Sequence, residues 1–108
     1  MKDKVVYISG PMTGYKDFNR SLFRNVERYI RENFDVEDVI NPANIPPDYT
    51  WVMAMEKDLM DVREKAEIMV LLPGWERSRG ARLEVLEALK KDIEIITLNN
   101  LMEKNKIG

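Results

Sequence analysis

Apolar residues along this chain fall into two kinds of pattern. Short runs rich in β-branched side chains occur at Lys4–Ser9, Val36–Ile40, Ile68–Leu72 and Ile93–Leu98 and predict strands, the first of the kind found in a buried parallel sheet. Between them apolar positions recur at helical spacing. Phe18, Leu22, Val26, Tyr29 and Ile30 predict a helix that Asp17 can cap and that ends near Asn33. Trp51, Val52, Met55, Leu59, Val62 and Ala66 form the apolar face of a second, running from a Thr50 cap to about Lys65. Ala81, Val85, Leu86, Ala88 and Leu89 form that of a third, ending near Lys91. The tail from Asn99 to Gly108 reads as a short helical turn with a frayed end.

The resulting order is βαβαβαβ. Right-handed crossovers then imply a three-layer α/β/α fold of flavodoxin/Rossmann-like type, with a four-stranded parallel sheet in the order 2-1-3-4. In that order the first and third strands are neighbours at the switch point, where open α/β sheets bind ligands. Two loops should flank the crevice. One is Gly10-Pro11-Met12-Thr13-Gly14, read either as an anion cradle or as a plain Gly-Pro turn. The other runs from Pro73-Gly74-Trp75 to Ser78 and Gly80, at the start of the third helix. The proline-rich stretch Asn41–Tyr49 reads as a stiff loop and not as a linker, because folded elements resume at once.

Composition narrows the chemistry. With 108 residues, 44% apolar and 33% charged, the chain suits one domain over residues 1–108 with one core. No apolar run approaches membrane-spanning length and no signal peptide is visible, so a cytoplasmic protein without membrane contact is expected. There is no cysteine and no histidine, which removes thiolate catalysis, the usual neutral-pH base and the commonest metal ligand. No metal site or cofactor is expected, and acid–base or nucleophilic work falls to carboxylates, tyrosines, lysines or hydroxyls. A net charge of −2 gives no case for a nucleic-acid polymer as partner. A small ligand remains open.

Two carboxylates stand out. Glu84 falls at the margin of the third helix's apolar face with methyl-sized neighbours Ala81 and Ala88. It is either a surface glutamate favoured by the helix dipole or a functional group with space beside it. Asp58 lies beside Trp51 and Val62 on the second helix, where desolvation demands a partner or a purpose, either structural or catalytic. Asp61 points the other way. Met53 and Met60, on that helix's far face, suggest a subunit contact or are exposed by chance.

Taken together, Tyr7-Ile-Ser-Gly-Pro-Met-Thr-Gly, Phe18-Asn19, Asn41-Pro42, Trp51, Asp58-Leu59, Leu72-Pro-Gly-Trp-Glu-Arg-Ser and Gly80-Ala-x-x-Glu84 resemble the DUF4406 family. That family is similar to a trimmed branch of the nucleoside 2-deoxyribosyltransferase superfamily, which includes 2'-deoxynucleoside 5'-monophosphate N-glycosidases. The resemblance implies cleavage of the N-glycosidic bond of a 2'-deoxynucleoside or its 5'-monophosphate, by hydrolysis or base exchange. Ser78, Gly80 and Glu84 reproduce the spacing that carries the superfamily's nucleophilic glutamate, and Asp58-Leu59 matches its proton-donating aspartate. Substrate contacts are expected from Tyr7, Ser9, Gly10, Pro11, Met12 and Gly14, from Trp51, and from Trp75, Ser78 and Gly80. Ser9, Ser78 and the loop N–H groups are candidates for a 5'-phosphate. On this view Glu84, at a helix start, stays ionised while Asp58 keeps a proton. The resemblance further implies a homodimer or larger homo-oligomer. The chain departs from it at Pro73-Gly74-Trp75, where the superfamily often has an aspartate. The alternative is a non-catalytic nucleotide-binding or oligomeric interaction module on the same fold.

Overall fold

The structure, a computed structural model, describes residues 1–46 and 48–107. Strands β1 (Val5–Ser9), β2 (Asp38–Ile40), β3 (Ile68–Leu71) and β4 (Glu94–Thr97) form one parallel sheet in the order β2-β1-β3-β4, as the crossover argument required. Helices α1 (Arg20–Asn33), α2 (Trp51–Glu64), α3 (Arg79–Lys91) and α4 (Leu98–Ile107) complete the layers. Val6, Ile8 and Val70 turn toward Phe23, Val26 and Ile30 of α1 and Leu101 of α4. The alternate residues Tyr7, Met69 and Leu71 turn toward Val62 and Ala66, at the end of α2, and Ala88 of α3. The period-two alternation of a strand thus puts α1 and α4 on one face and α2 and α3 on the other.

Register sets the site. Val6 pairs with Ile68 and Ser9 with Leu71, so β1 and β3 end level and their loops leave side by side. The approach is close at Gly10, where a Cβ would lie 2.7 Å from Leu72 Cβ. α2 and α3 are held together at both ends. Near the strands' carboxyl ends a Cβ on Gly80 would sit 3.1 Å from Met55 Sδ. At the other end Lys91 Nζ donates to the carbonyls of Val62 and Ala66 at 3.2 and 2.8 Å, closing the end of α2. Thr50 caps α2 as expected, its hydroxyl accepting from the Met53 N–H at 3.1 Å.

Several expectations are corrected. Asp17 does not cap α1; it pairs with Arg20 at 3.0 Å. Asp17, Phe18 and Asn19 all have positive φ, and α1 starts only at Arg20. This left-handed turn lets Asn19 Nδ2 donate to the Pro11 carbonyl at 3.0 Å, and it leaves Phe18 51% exposed and out of the core. Trp51 and Val52 are likewise exposed, because the first turn of α2 projects beyond the sheet, and Leu59 is only partly buried. Asp61 is buried instead of solvent-facing; it accepts from Lys57 at 2.7 Å and lies 3.6 Å from Lys65. In α3 Leu86 and Leu89 are exposed, and the buried stripe is Ala81, Glu84 and Ala88. Glu84 is therefore central to the buried face, not marginal, since α3 rests on α2 as well as on the sheet and only small residues fit the seam. The expected terminal turn is a full helix anchored by Leu101. Gly108, like Pro47 of the proline-rich loop, lies outside the described residues. No helix among the described residues is long and apolar enough to cross a membrane.

Because Gly10 meets a packed Leu72 Cβ and Gly80 meets the flexible end of Met55, their alanine variants should differ. Gly10→Ala should destabilise the fold by about 1–3 kcal/mol and Gly80→Ala by less, as read from urea denaturation midpoints; a reversed order would contradict the packing described.

Candidate active site

A cleft of about 910 Å³ opens at the carboxyl ends of β1 and β3. Its walls include Gly10, Pro11 and Met12 after β1, Trp51, Met55 and Asp58 of α2, and Ser78, Gly80 and Glu84 at the start of α3. At its floor Glu84 is 4% exposed. Glu84 Oε1 accepts from Ser9 Oγ at 2.7 Å and Oε2 from the Tyr7 hydroxyl at 3.0 Å. Tyr7 and Ser9 are two residues apart on β1, so both point to the face that carries α2 and α3. Asp58, also buried, shares a hydrogen bond with Glu84 and is within reach of the Tyr7 hydroxyl. No buried side-chain oxygen or nitrogen among the described residues lacks a partner.

The electrostatics differ from the expectation of an ionised Glu84 beside a protonated Asp58. Burial pushes Asp58 up to about 7, and burial followed by the Asp58 charge pushes Glu84 up to about 8. The helix dipole fades within the first turn, and Glu84 is the sixth residue of α3, so desolvation prevails. Near neutral pH the pair therefore holds a proton. Burial favours leaving it on the deeper Glu84, whereas the hydroxyls of Ser9 and Tyr7, both donating to Glu84, favour the Glu84 anion. The Tyr7 phenol, raised well above its ordinary value by burial and then by Glu84, stays a donor.

Most of the residues singled out in sequence converge here. Gly10, Pro11, Met12, Trp51, Asp58, Ser78, Gly80 and Glu84 line the cleft. Tyr7 and Ser9 lie fully buried behind Glu84 and act on it. Ser78 also caps α3, accepting from the Ala81 N–H at 3.2 Å. Gly14 supplies a left-handed turn, with open space around it. Trp75 is not brought to the cleft; it packs against the cluster of Tyr7, Val62 and Met69. Sequence reasoning missed Tyr15, Tyr49, Arg77 and Arg79, all of which line the cleft. The arginines flank Ser78 and could have been found as cations at a ligand-facing helix start; the tyrosines give no periodic signal.

The fold and its buried carboxyl pair at the switch point define an open parallel α/β protein with a ligand-sized cleft at the carboxyl ends of its central strands. Among solved structures the chain is similar to the 2-desoxiribosyltransferase from Leishmania mexicana, with a TM-score of 0.66 and 21% identity over 87% of this chain. It spans 63% of that neighbour's length. No curated protein matches. Residues 4–97 match the family described as Domain of unknown function (DUF4406), and the chain belongs to that family.

The shared proton makes stability depend on pH. Carboxyls whose values are raised by folding bind more protons in the native than in the unfolded chain, so stability falls as pH rises from their ordinary range, near 4, through about 7 and 8. Glu84→Gln should consequently have a higher urea midpoint than the parent at pH 8.5, and the advantage should shrink toward pH 4. A variant less stable at pH 8.5 than at pH 4 relative to the parent would contradict the desolvation argument.

Proposed function

We propose that the protein cleaves the N-glycosidic bond of a 2'-deoxynucleoside or its 5'-monophosphate, with Glu84 as nucleophile and Asp58 as general acid. The observation that carries this reading is the Glu84 carboxyl at the cleft floor, held on both oxygens by Ser9 and Tyr7 and touching a second carboxyl with which it shares a proton. In the reactive arrangement that proton is on Asp58, and the two hydroxyls hold the Glu84 anion. A Glu84 oxygen attacks C1' through an oxocarbenium-like transition state and forms a glycosyl ester. The C1'–N bond breaks, its electron pair goes to the base nitrogen, and Asp58 gives that nitrogen its proton. Asp58, now a carboxylate, takes a proton from an incoming water or second base as it attacks C1' and frees Glu84. Water gives hydrolysis; a base gives exchange.

The walls suit such a substrate. Aromatic Trp51 and Tyr49 line the cleft together with Asp58, and Ser78 with the Gly10–Gly14 loop offers hydroxyl and N–H donors for the sugar's 5' end. The solved neighbour is a 2-desoxiribosyltransferase, which supports the same substrate class. Incubation with a panel of deoxynucleosides and their monophosphates, with free base detected chromatographically, tests the activity. Glu84→Gln should keep the fold and ligand binding while turnover falls at least ~10²-fold, and a 2-fluoro-2-deoxy nucleoside should leave a covalent adduct on Glu84 of the parent. Equal turnover by Glu84→Gln would refute the nucleophile assignment. A parent that binds nucleotides and cleaves none is a binding module instead.

We also propose that the chain works as a homo-oligomer in the cytoplasm, as a single unit over its whole length. Met53 and Met60 on α2 and Leu86 and Leu89 on α3 are exposed, an unusual share of large apolar surface for two helices. Replacing both methionines by Lys should lower the mass seen by light scattering without loss of helicity; an unchanged mass would rule this face out.

A further inference from the structure

The two cleft arginines beside Ser78 go to different places. The Arg77 guanidinium lies against Gly74, a Cβ on which would be 3.3 Å from Arg77 Nη2, 2.8 Å from the Tyr15 hydroxyl and 3.3 Å from Pro11 Cγ. It belongs to the wall formed by the β1 loop. The Arg79 guanidinium instead lies over the Trp51 ring, 4.9 Å from its centroid, on the wall formed by α2. It makes no hydrogen bond or ion pair among the described residues, so its N–H edge is unspent, while cation–π attraction favours its place over the ring.

Position along α2 assigns that edge a role. This inference rests on the glycosidase reading: a base protonated by Asp58 as it departs must lie beside Asp58. Trp51 is two helical turns earlier on α2, about 10.5 Å along the axis at 1.5 Å per residue. Between them the wall is Met55 and Ala54, an apolar strip on which a planar ring can rest. The base's edge remote from the sugar therefore meets the Arg79–Trp51 pair. Guanidinium offers only donors, so it pairs with an oxo oxygen, together with N7 in a purine, and has nothing to accept from an exocyclic amino group. Among the described residues no Asn or Gln, which could serve an amino base, lines the cleft. We infer that Arg79, held over the Trp51 ring, selects bases whose remote edge carries an oxo group over their amino counterparts.

Matched nucleosides test this without a phosphate to engage the guanidinium. In Glu84→Gln, where binding is separated from turnover, calorimetry should show deoxyinosine bound at least about tenfold more tightly than deoxyadenosine, and deoxyuridine more tightly than deoxycytidine. Arg79→Met keeps an apolar stem on Trp51 and should abolish both ratios. Equal or reversed ratios, or ratios that survive Arg79→Met, would each overturn the inference. Parent enzyme that cleaves deoxyadenosine as readily as deoxyinosine would sink the inference and leave the glycosidase reading standing. The converse, an oxo preference in binding with no cleavage by the parent, would remove the activity and leave the selectivity in place. Failure of all four nucleosides to bind at millimolar concentration would overturn both.

Discussion

The site depends on burying Glu84 without leaving its oxygens unsatisfied. An isolated carboxyl withdrawn from water is costly, and the cost is met only by hydrogen bonds of good geometry. β1 supplies two of them from Tyr7 and Ser9, and this fixes much else. The two hydroxyls reach one carboxyl because they share a strand face, and that strand must be central enough for both to be fully buried. α3 must come close to β1 while lying against α2, which restricts its buried stripe to Ala81, Glu84 and Ala88 and favours glycine opposite the end of Met55. Asp58 then meets Glu84 across the same seam.

A gradient of charge follows from this packing. α2 and α3 both start at the carboxyl ends of the strands, so their partial positive ends lie at the cleft mouth, where Arg20, Arg77 and Arg79 also stand. The ionisable groups at the floor are Asp58 and Glu84. Such a gradient favours anionic or carbonyl-bearing parts of a ligand at the mouth, and on the proposed reading a carbon that becomes electron-poor at the floor. In a chain of net charge −2 this is a local arrangement, invisible in the total.

Much of this was legible in the chain because it rests on rules that act locally or through topology. Four β-branched runs and the handedness of crossovers suffice for the order β2-β1-β3-β4, and that order alone brings the Gly10–Gly14 and Pro73–Gly80 loops together. Asn41-Pro42 could be read as a strand end, and its side chain does close β2, accepting from the Ala43 N–H and donating to Glu27 Oε1. Tertiary placement was not legible. A helical wheel finds the apolar face of a helix but not how far the helix overhangs its sheet, so it assigns Trp51 and Val52 to a core that does not extend beneath them. It also ranks Leu above Ala for burial, whereas the α2–α3 seam selects by size; Leu86 and Leu89 were thus placed inside and Glu84 at the edge. Asp61 is buried because Lys57 and Lys65 lie one turn to either side, an i,i+4 pairing that the sequence displayed. The left-handed run through Asn19 has no pattern to betray it, since its reason is a contact with the Pro11 carbonyl.

The proton shared by Asp58 and Glu84 gives the proposed chemistry its direction. In the empty cleft a charge on this pair is disfavoured, because burial outweighs the hydroxyl donors. As a glycosidic bond stretches, positive charge grows on the sugar ring beside Glu84 and negative charge on the base nitrogen beside Asp58. The first favours the Glu84 anion and the second favours transfer of the Asp58 proton. Both carboxyls are thus better matched to the transition state than to the resting cleft, which is the condition for an interaction to lower a barrier and not merely to tighten binding. Ser9 and Tyr7, already aligned on both Glu84 oxygens, need no reorientation as that charge appears.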